Sequence, residues 1–180
     1  VFYCDVGRRF PYKTLDHGLQ SFVTWMHEQR QDFLPGLTIS WRGSMSVWTK
    51  RDAFVLTGMD QPEIHRLAPI QASFSLWRAC QPSRDFLDDW LAWCSRRELI
   101  SDDPSVCGLP ELPDYFEHRH DQALLTLCCH HRGHLGLDLG NRSVSFDTRN
   151  PSEVLGHIFA ASPCPPTLGI LLLKATACAF

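Results

Sequence analysis

The chain has 180 residues, 44% of them hydrophobic and 21% charged, which is enough for one domain with a sizeable core and lies in the ordinary globular range. A formal net charge of -3 argues against a general binder of nucleic acid or anionic membrane, because either needs a basic surplus, while leaving room for one local pocket that takes a diphosphate. The eight cysteines (Cys4, Cys80, Cys94, Cys107, Cys128, Cys129, Cys164 and Cys178) show no regular spacing, so buried, reduced thiols are expected rather than a disulfide framework. Val1-Phe2-Tyr3-Cys4 reads as a strand, with no Met, charged leader segment or signal-like apolar run before it. The expectation is a piece whose N-terminal part is missing. Asp5-Val6-Gly7-Arg8-Arg9 then turns away.

From Leu15 to Gln31, apolar residues recur at three- and four-residue steps, which predicts a helix stopped by Leu34-Pro35-Gly36. Leu37 to Trp41 alternates and is rich in β-formers, so a strand follows. A second helix is expected over Trp48 to Met59. The alternation from Gln71 to Trp77 predicts a half-buried strand with Ala72, Phe74 and Leu76 on one side and Ser73 and Ser75 on the other. From about Pro82 to Leu99 the stripe Phe86, Leu87, Trp90, Leu91 and Cys94 predicts an amphipathic helix, with Asp85, Asp88 and Asp89 toward its start and Arg96-Arg97 at its end, as the helix dipole favours. Another helix is expected from Asp121, turning Leu124, Leu125, Leu127 and Cys128 inward, and a short strand over Ser143 to Phe146. The apolar run Leu168 to Leu173 is too short to span a bilayer, which takes about twenty residues. Alternating helices and strands predict an α/β layered domain.

Four groups of residues carry possible chemistry. Asp5, at a strand end before a tight turn, suits a hard divalent cation over a diphosphate; the same three residues also make an ordinary turn in which Gly7 supplies the positive φ. Lys50-Arg51, near a helix start, can contact phosphate or simply lie exposed. His118-Arg119-His120-Asp121-Gln122 opens a helix, where Gln122 offers a donor and an acceptor to a sugar hydroxyl; a surface ion cluster is the plainer reading. Cys128-Cys129-His130-His131 is not a zinc site, because adjacent helical residues point about 100° apart and cannot converge on one ion.

Taken in order, Val1 to Gly7, Trp48-Thr49-Lys50-Arg51-Asp52, Gln71-Ala72-Ser73-Phe74, Phe86-Leu87-Asp88-Asp89-Trp90-Leu91, Leu99-Ile100-Ser101-Asp102-Asp103 and His118 to Gln122 resemble a family of GT-A-like glycosyltransferases of the nucleotide-diphospho-sugar transferase superfamily. The likeness covers roughly residues 1–135. It departs from the family at Ala123, where Ser is usual, and Gly7 stands where GT-A enzymes place the second Asp of Asp-x-Asp. The resemblance implies a Rossmann-like GT-A fold, with residues 1–150 as the C-terminal part of that domain and 151–180 as an irregular, Pro-rich and apolar tail. It implies transfer of a hexose from a nucleotide-sugar donor to a glycan or related acceptor, with Mn2+ or Mg2+ on the diphosphate.

By that resemblance Asp5, and His157 among the late histidines, would hold the metal. Lys50, Arg51, Ala72, Ser73, His118, Arg119 and Gln122 would bind substrate, and Asp121 would be the base of an inverting reaction, a role that retaining chemistry does not need. A non-catalytic carbohydrate-binding domain, or a metal-dependent hydrolase using Asp5, Asp102 and Asp121, are the alternatives from other classes.

Overall fold

The computed structural model describes residues 1–4, 22–24, 26–39, 42–134 and 136. The expected strand over Ser143 to Phe146 lies outside them, as do Asp5 and His157. The described part is a mixed α/β arrangement with two small antiparallel sheets. In the three-stranded sheet, β5 (Phe74–Trp77) lies between β1 (Phe2–Cys4) and β2 (Phe33–Leu34), with Phe2 opposite Leu76 and Phe33 opposite Trp77. The two-stranded sheet pairs β3 (Leu37–Thr38) with β4 (Ile70–Gln71).

Residues 22–24 and 26–28 are helical, in line with the expected first helix, and bury Phe22 and Met26. Gly36 then allows the chain between β2 and β3 to pass close to β4. Its φ is 154°, and a Cβ there would stand 2.0 Å from the Gln71 carbonyl oxygen. Any side chain at this position must push the two strands apart.

Three predicted elements are divided in the structure. The expected helix over Trp48 to Met59 is instead α1 (Met45–Trp48) and α2 (Arg51–Leu56), separated by Thr49 and Lys50 in extended backbone. The expected strand from Gln71 to Trp77 is β4, a turn at Ala72-Ser73, and β5. Alternation there does not sort inside from outside, because Ser73 and Ser75 are as buried as Phe74; the Ser75 hydroxyl takes the Trp77 indole N–H at 2.6 Å. The long helix α4 (Gln81–Cys94) follows the short α3 (Pro62–His65), and α5 (Arg97–Ile100) is separate from it.

On α4 the inward stripe is narrower than expected. Phe86 is buried and Trp90 and Trp93 are half-buried, but Leu87 and Leu91 face solvent, Leu91 at 64% exposure. No acidic residue occupies its first turn, so the three aspartates do not serve the dipole there. Asp89 instead pairs with Arg132 across the helix packing, and Asp85 accepts from Gln81 Nε2 at 2.7 Å.

The last described helix, α6 (His120–His131), lies at the centre of the described core. Residues 123–129 are all buried, which is what a helix apolar on every face requires. Leu124 and Leu127 pack with Met45, Phe54 and Leu99 in one cluster. Leu125, Cys128 and Cys129 pack with Phe33, Trp77 and Phe86 in another. One helix thus joins the helical layer to the sheet. Among the described residues no helix is long and apolar enough to cross a membrane.

Candidate functional site

The sharp break between α1 and α2 decides where Lys50 points. Its extended backbone sends the side chain inward, where the ammonium lies 3.2 Å from Asp52 Oδ2, with the two side chains 3% and 0% exposed. Lys50 Nζ also donates to the carbonyls of Asp103 (2.7 Å) and Ser101 (3.5 Å). Asp52 accepts the backbone N–H of Val106 and of Cys107, the latter at 2.8 Å. Burial by itself raises the Asp52 carboxyl, but the Cys107 side chain, those two N–H groups and Lys50 outweigh it and hold it below the usual carboxylate range. The pair clamps residues 101–107 onto α2. Sequence reasoning offered Lys50 as a phosphate contact or an exposed cation; it is neither exposed nor free, being bound to Asp52 and two carbonyls.

Arg51 turns the other way. Its guanidinium meets Asp60 at 2.8 Å, and the second Asp60 oxygen meets His65 Nε2 at 2.8 Å. Its backbone N–H donates to Glu111 Oε2 at 2.7 Å, while Glu111 Oε1 accepts from the Ser105 hydroxyl. Arg51 Nε is buried without a hydrogen-bond partner among the described residues.

His118 is buried between the same elements. Nε2 lies 2.7 Å from the Leu99 carbonyl, and Nδ1 accepts the Lys50 backbone N–H at 3.3 Å. A carbonyl cannot donate, so the Nε2–H tautomer of a neutral ring is the one that satisfies both bonds. Burial pushes His118 below its ordinary value of 6.5, only partly opposed by the bond to Leu99. This histidine therefore has no nitrogen left for a ligand.

Arg119, by contrast, is exposed. It donates its backbone N–H to the Trp48 carbonyl at 2.9 Å, lays its guanidinium 4.8 Å from the Trp48 ring centre and pairs with Glu117 at 2.6 Å. His120 reaches Asp102 at 3.1 Å. Asp121 is exposed, and its backbone carbonyl takes the Trp90 indole N–H at 3.1 Å. The Gln122 carbonyl accepts from the Thr126 hydroxyl, which in turn accepts the Ile70 N–H, each at 3.0 Å. Through Thr126 the start of α6 is tied to β4, two residues before the Ala72-Ser73 turn.

The structure thus brings Lys50, His118 and the flanks of Arg119 and His120 together, and ties Gln122 to the sheet that carries Ala72 and Ser73. It separates Lys50 from Arg51. Asp52 was not singled out as a site group from the sequence, and Asp102, named there only as a hydrolase carboxylate, was not connected with His120; no local pattern relates a histidine to a carboxylate eighteen positions upstream. Among the described residues no three His, Cys, Asp or Glu side chains form a group able to hold a metal ion. Cys80, Cys94, Cys107, Cys128 and Cys129 are free thiols. Burial pushes Cys94 up to about 11 and Cys128 up to about 12, so neither offers a thiolate. No protein-family model matches the chain, and neither a curated protein nor a solved structure matches it.

Proposed function

We propose that the chain belongs to a GT-A-like glycosyltransferase that moves a hexose from a nucleotide-sugar to a glycan or related acceptor. The observation that carries this reading is convergence. Three of the segments that bear the resemblance, Trp48–Asp52, Leu99–Asp103 and His118–Gln122, lie far apart in sequence and meet around Lys50 and His118. Segments that share a family pattern and one location suit a common site better than independent turns do. The strand before Asp5 supports it as well: β1 ends with Cys4 opposite Phe74, beside the Ala72-Ser73 turn, and Asp5 is the next residue in the chain.

On this reading Arg119, Asp121 and Gln122 lie at the acceptor side, Asp121 being the first candidate for the base, and Lys50 and His118 act by holding that surface in shape. Mn2+ or Mg2+ bound through Asp5 and His157 would neutralise the departing diphosphate. The parallel, Rossmann-like half of a GT-A fold is part of the proposal, since every described strand pair is antiparallel.

The test is thermal unfolding of the purified protein with Mn2+ and a panel of UDP- and GDP-hexoses. A donor that binds at 100 times its Kd stabilises by about 2.7 kcal/mol, a clear rise in Tm. The rise should need Mn2+ and disappear in Asp5→Ala. Absence of a shift with every donor sinks the enzyme reading and leaves a scaffold or carbohydrate-binding role, the one favoured by the use of Lys50 and His118 for internal bonding.

A further inference from the structure

Among the solvent-facing groups at the acceptor side, one histidine is aimed by a carboxylate. His120 Nε2 lies 3.1 Å from Asp102 Oδ2, and the two side chains are 46% and 73% exposed. In a neutral imidazole this contact puts the proton on Nε2 and the basic lone pair on Nδ1. The ring also stands edge-on to His118, with centres 5.3 Å apart.

Each neighbour of the pair is itself held. Lys50 Nζ binds the carbonyls of Ser101 and Asp103, the residues on either side of Asp102. His118 is fixed by Leu99 and by the Lys50 backbone. His120 itself takes a left-handed φ of 40°, uncommon for a residue with a Cβ, and the bond from Arg119 N–H to the Trp48 carbonyl braces it from the preceding residue. Local preference would not choose this conformation; the surrounding bonds impose it. No described side chain orients the Asp121 carboxylate by a hydrogen bond or ion pair.

We infer that His120 is the proton acceptor for the incoming hydroxyl and that Asp102 is its positioning residue. The assignment rests on the glycosyltransferase reading and takes the base role from Asp121, which is left to contact the acceptor. The acceptor hydroxyl gives its proton to His120 Nδ1 while its oxygen bonds the anomeric carbon of the donor sugar. The bond from that carbon to the diphosphate oxygen breaks, and its electron pair leaves with the nucleoside diphosphate. Asp102 stabilises the imidazolium that results, the use to which a carboxylate behind a catalytic histidine is put. The charged and titratable groups in contact with the ring are Asp102 from the loop after α5 and His118 beside it; Lys50 binds the carbonyls that flank Asp102, and Arg119 and Asp121 adjoin His120 in the chain.

The experiment measures acceptor-dependent release of UDP or GDP from the hexose panel, with mixed oligosaccharides as acceptors, across pH. The variants are His120→Asn, Asp102→Asn and Asp121→Asn, and circular dichroism checks their folding. Asn tolerates the left-handed backbone, so His120→Asn keeps the turn. The expected result is a 100-fold or larger fall in kcat for His120→Asn with donor KM unchanged, in the range that loss of a general base produces. The acid limb of the pH profile should vanish in that variant, and Asp102→Asn should lower kcat with donor KM unchanged. If the wild-type protein transfers sugar and His120→Asn keeps its rate and acid limb, while Asp121→Asn loses both, the assignment to His120 is overturned and the glycosyltransferase reading stands. Wild-type protein that releases no nucleotide with any donor and acceptor overturns both together.

Discussion

At the scale of single residues, the buried polar groups govern how the protein responds to mutation and to acid. Lys50 and Asp52 are desolvated together, so removing one charge strands the other. Lys50→Met should cost about 3 kcal/mol, the lower end for a broken buried pair, since two backbone N–H groups still serve Asp52. Denaturant unfolding measures this, and Lys50→Met/Asp52→Asn should recover part of the loss. A lysine that acted only as a phosphate contact would give unchanged stability and weaker donor binding. His118 makes a separate prediction. Its folded pKa lies below its ordinary 6.5, so in the window just under 6.5 the unfolded chain binds more protons than the native one. Stability is therefore complete above about 6.5 and declines as pH falls toward the folded value. His118→Gln, which can still donate and accept, should flatten that part of the stability–pH curve measured by urea unfolding.

At the scale of elements, the sequence patterns located helices better than they located their ends or their inward faces. The apolar stripe correctly marks α4 as a helix, yet includes Leu87 and Leu91, which the fold leaves in solvent. Spacing reports that a face is apolar; it does not report how wide a neighbour is available to cover it. The strand alternation over 71–77 is similarly blind to the Ala72-Ser73 turn, because a two-residue turn preserves the odd–even rhythm. The buried face of α6 runs around the whole helix, and this gives a contrast to test. Leu124→Ala should cost about 2–5 kcal/mol and Leu91→Ala within about 0.5 kcal/mol, as read from chemical denaturation. Gly36→Ala should also be strongly destabilising, because its Cβ would overlap the Gln71 carbonyl in addition to the unfavourable φ.

At the scale of the whole molecule, α6 couples the two apolar clusters, so both should lose their packing in one transition. Position-resolved mass spectrometry after thiol alkylation checks this. Cys128 and Cys129 are buried on α6 and lie far above the reactive thiol range, so both should stay unlabelled in native buffer. They should become labelled together at the denaturant concentration that unfolds Leu124 and Phe86 surroundings alike. Early labelling of either one would show that the sheet side opens independently of the helical side.

Asp5-Val6-Gly7 falls outside the described residues, and the polar groups that the structure brings together lie in residues 48–52 and 99–122. The sequence by itself determined the mixture of helices and strands, a helix beginning near Asp121 with Leu124, Leu125, Leu127 and Cys128 inward, and the segments in which polar chemistry gathers, because periodicity and residue type act over a few neighbours. Only the tertiary structure decided that Lys50 pairs with Asp52 while Arg51 pairs with Asp60, that His118 is spent on backbone groups, and that His120 meets Asp102. Those outcomes depend on which carbonyl or carboxylate a distant loop delivers to within about 3 Å, the range over which a hydrogen bond forms. No local pattern carries that distance.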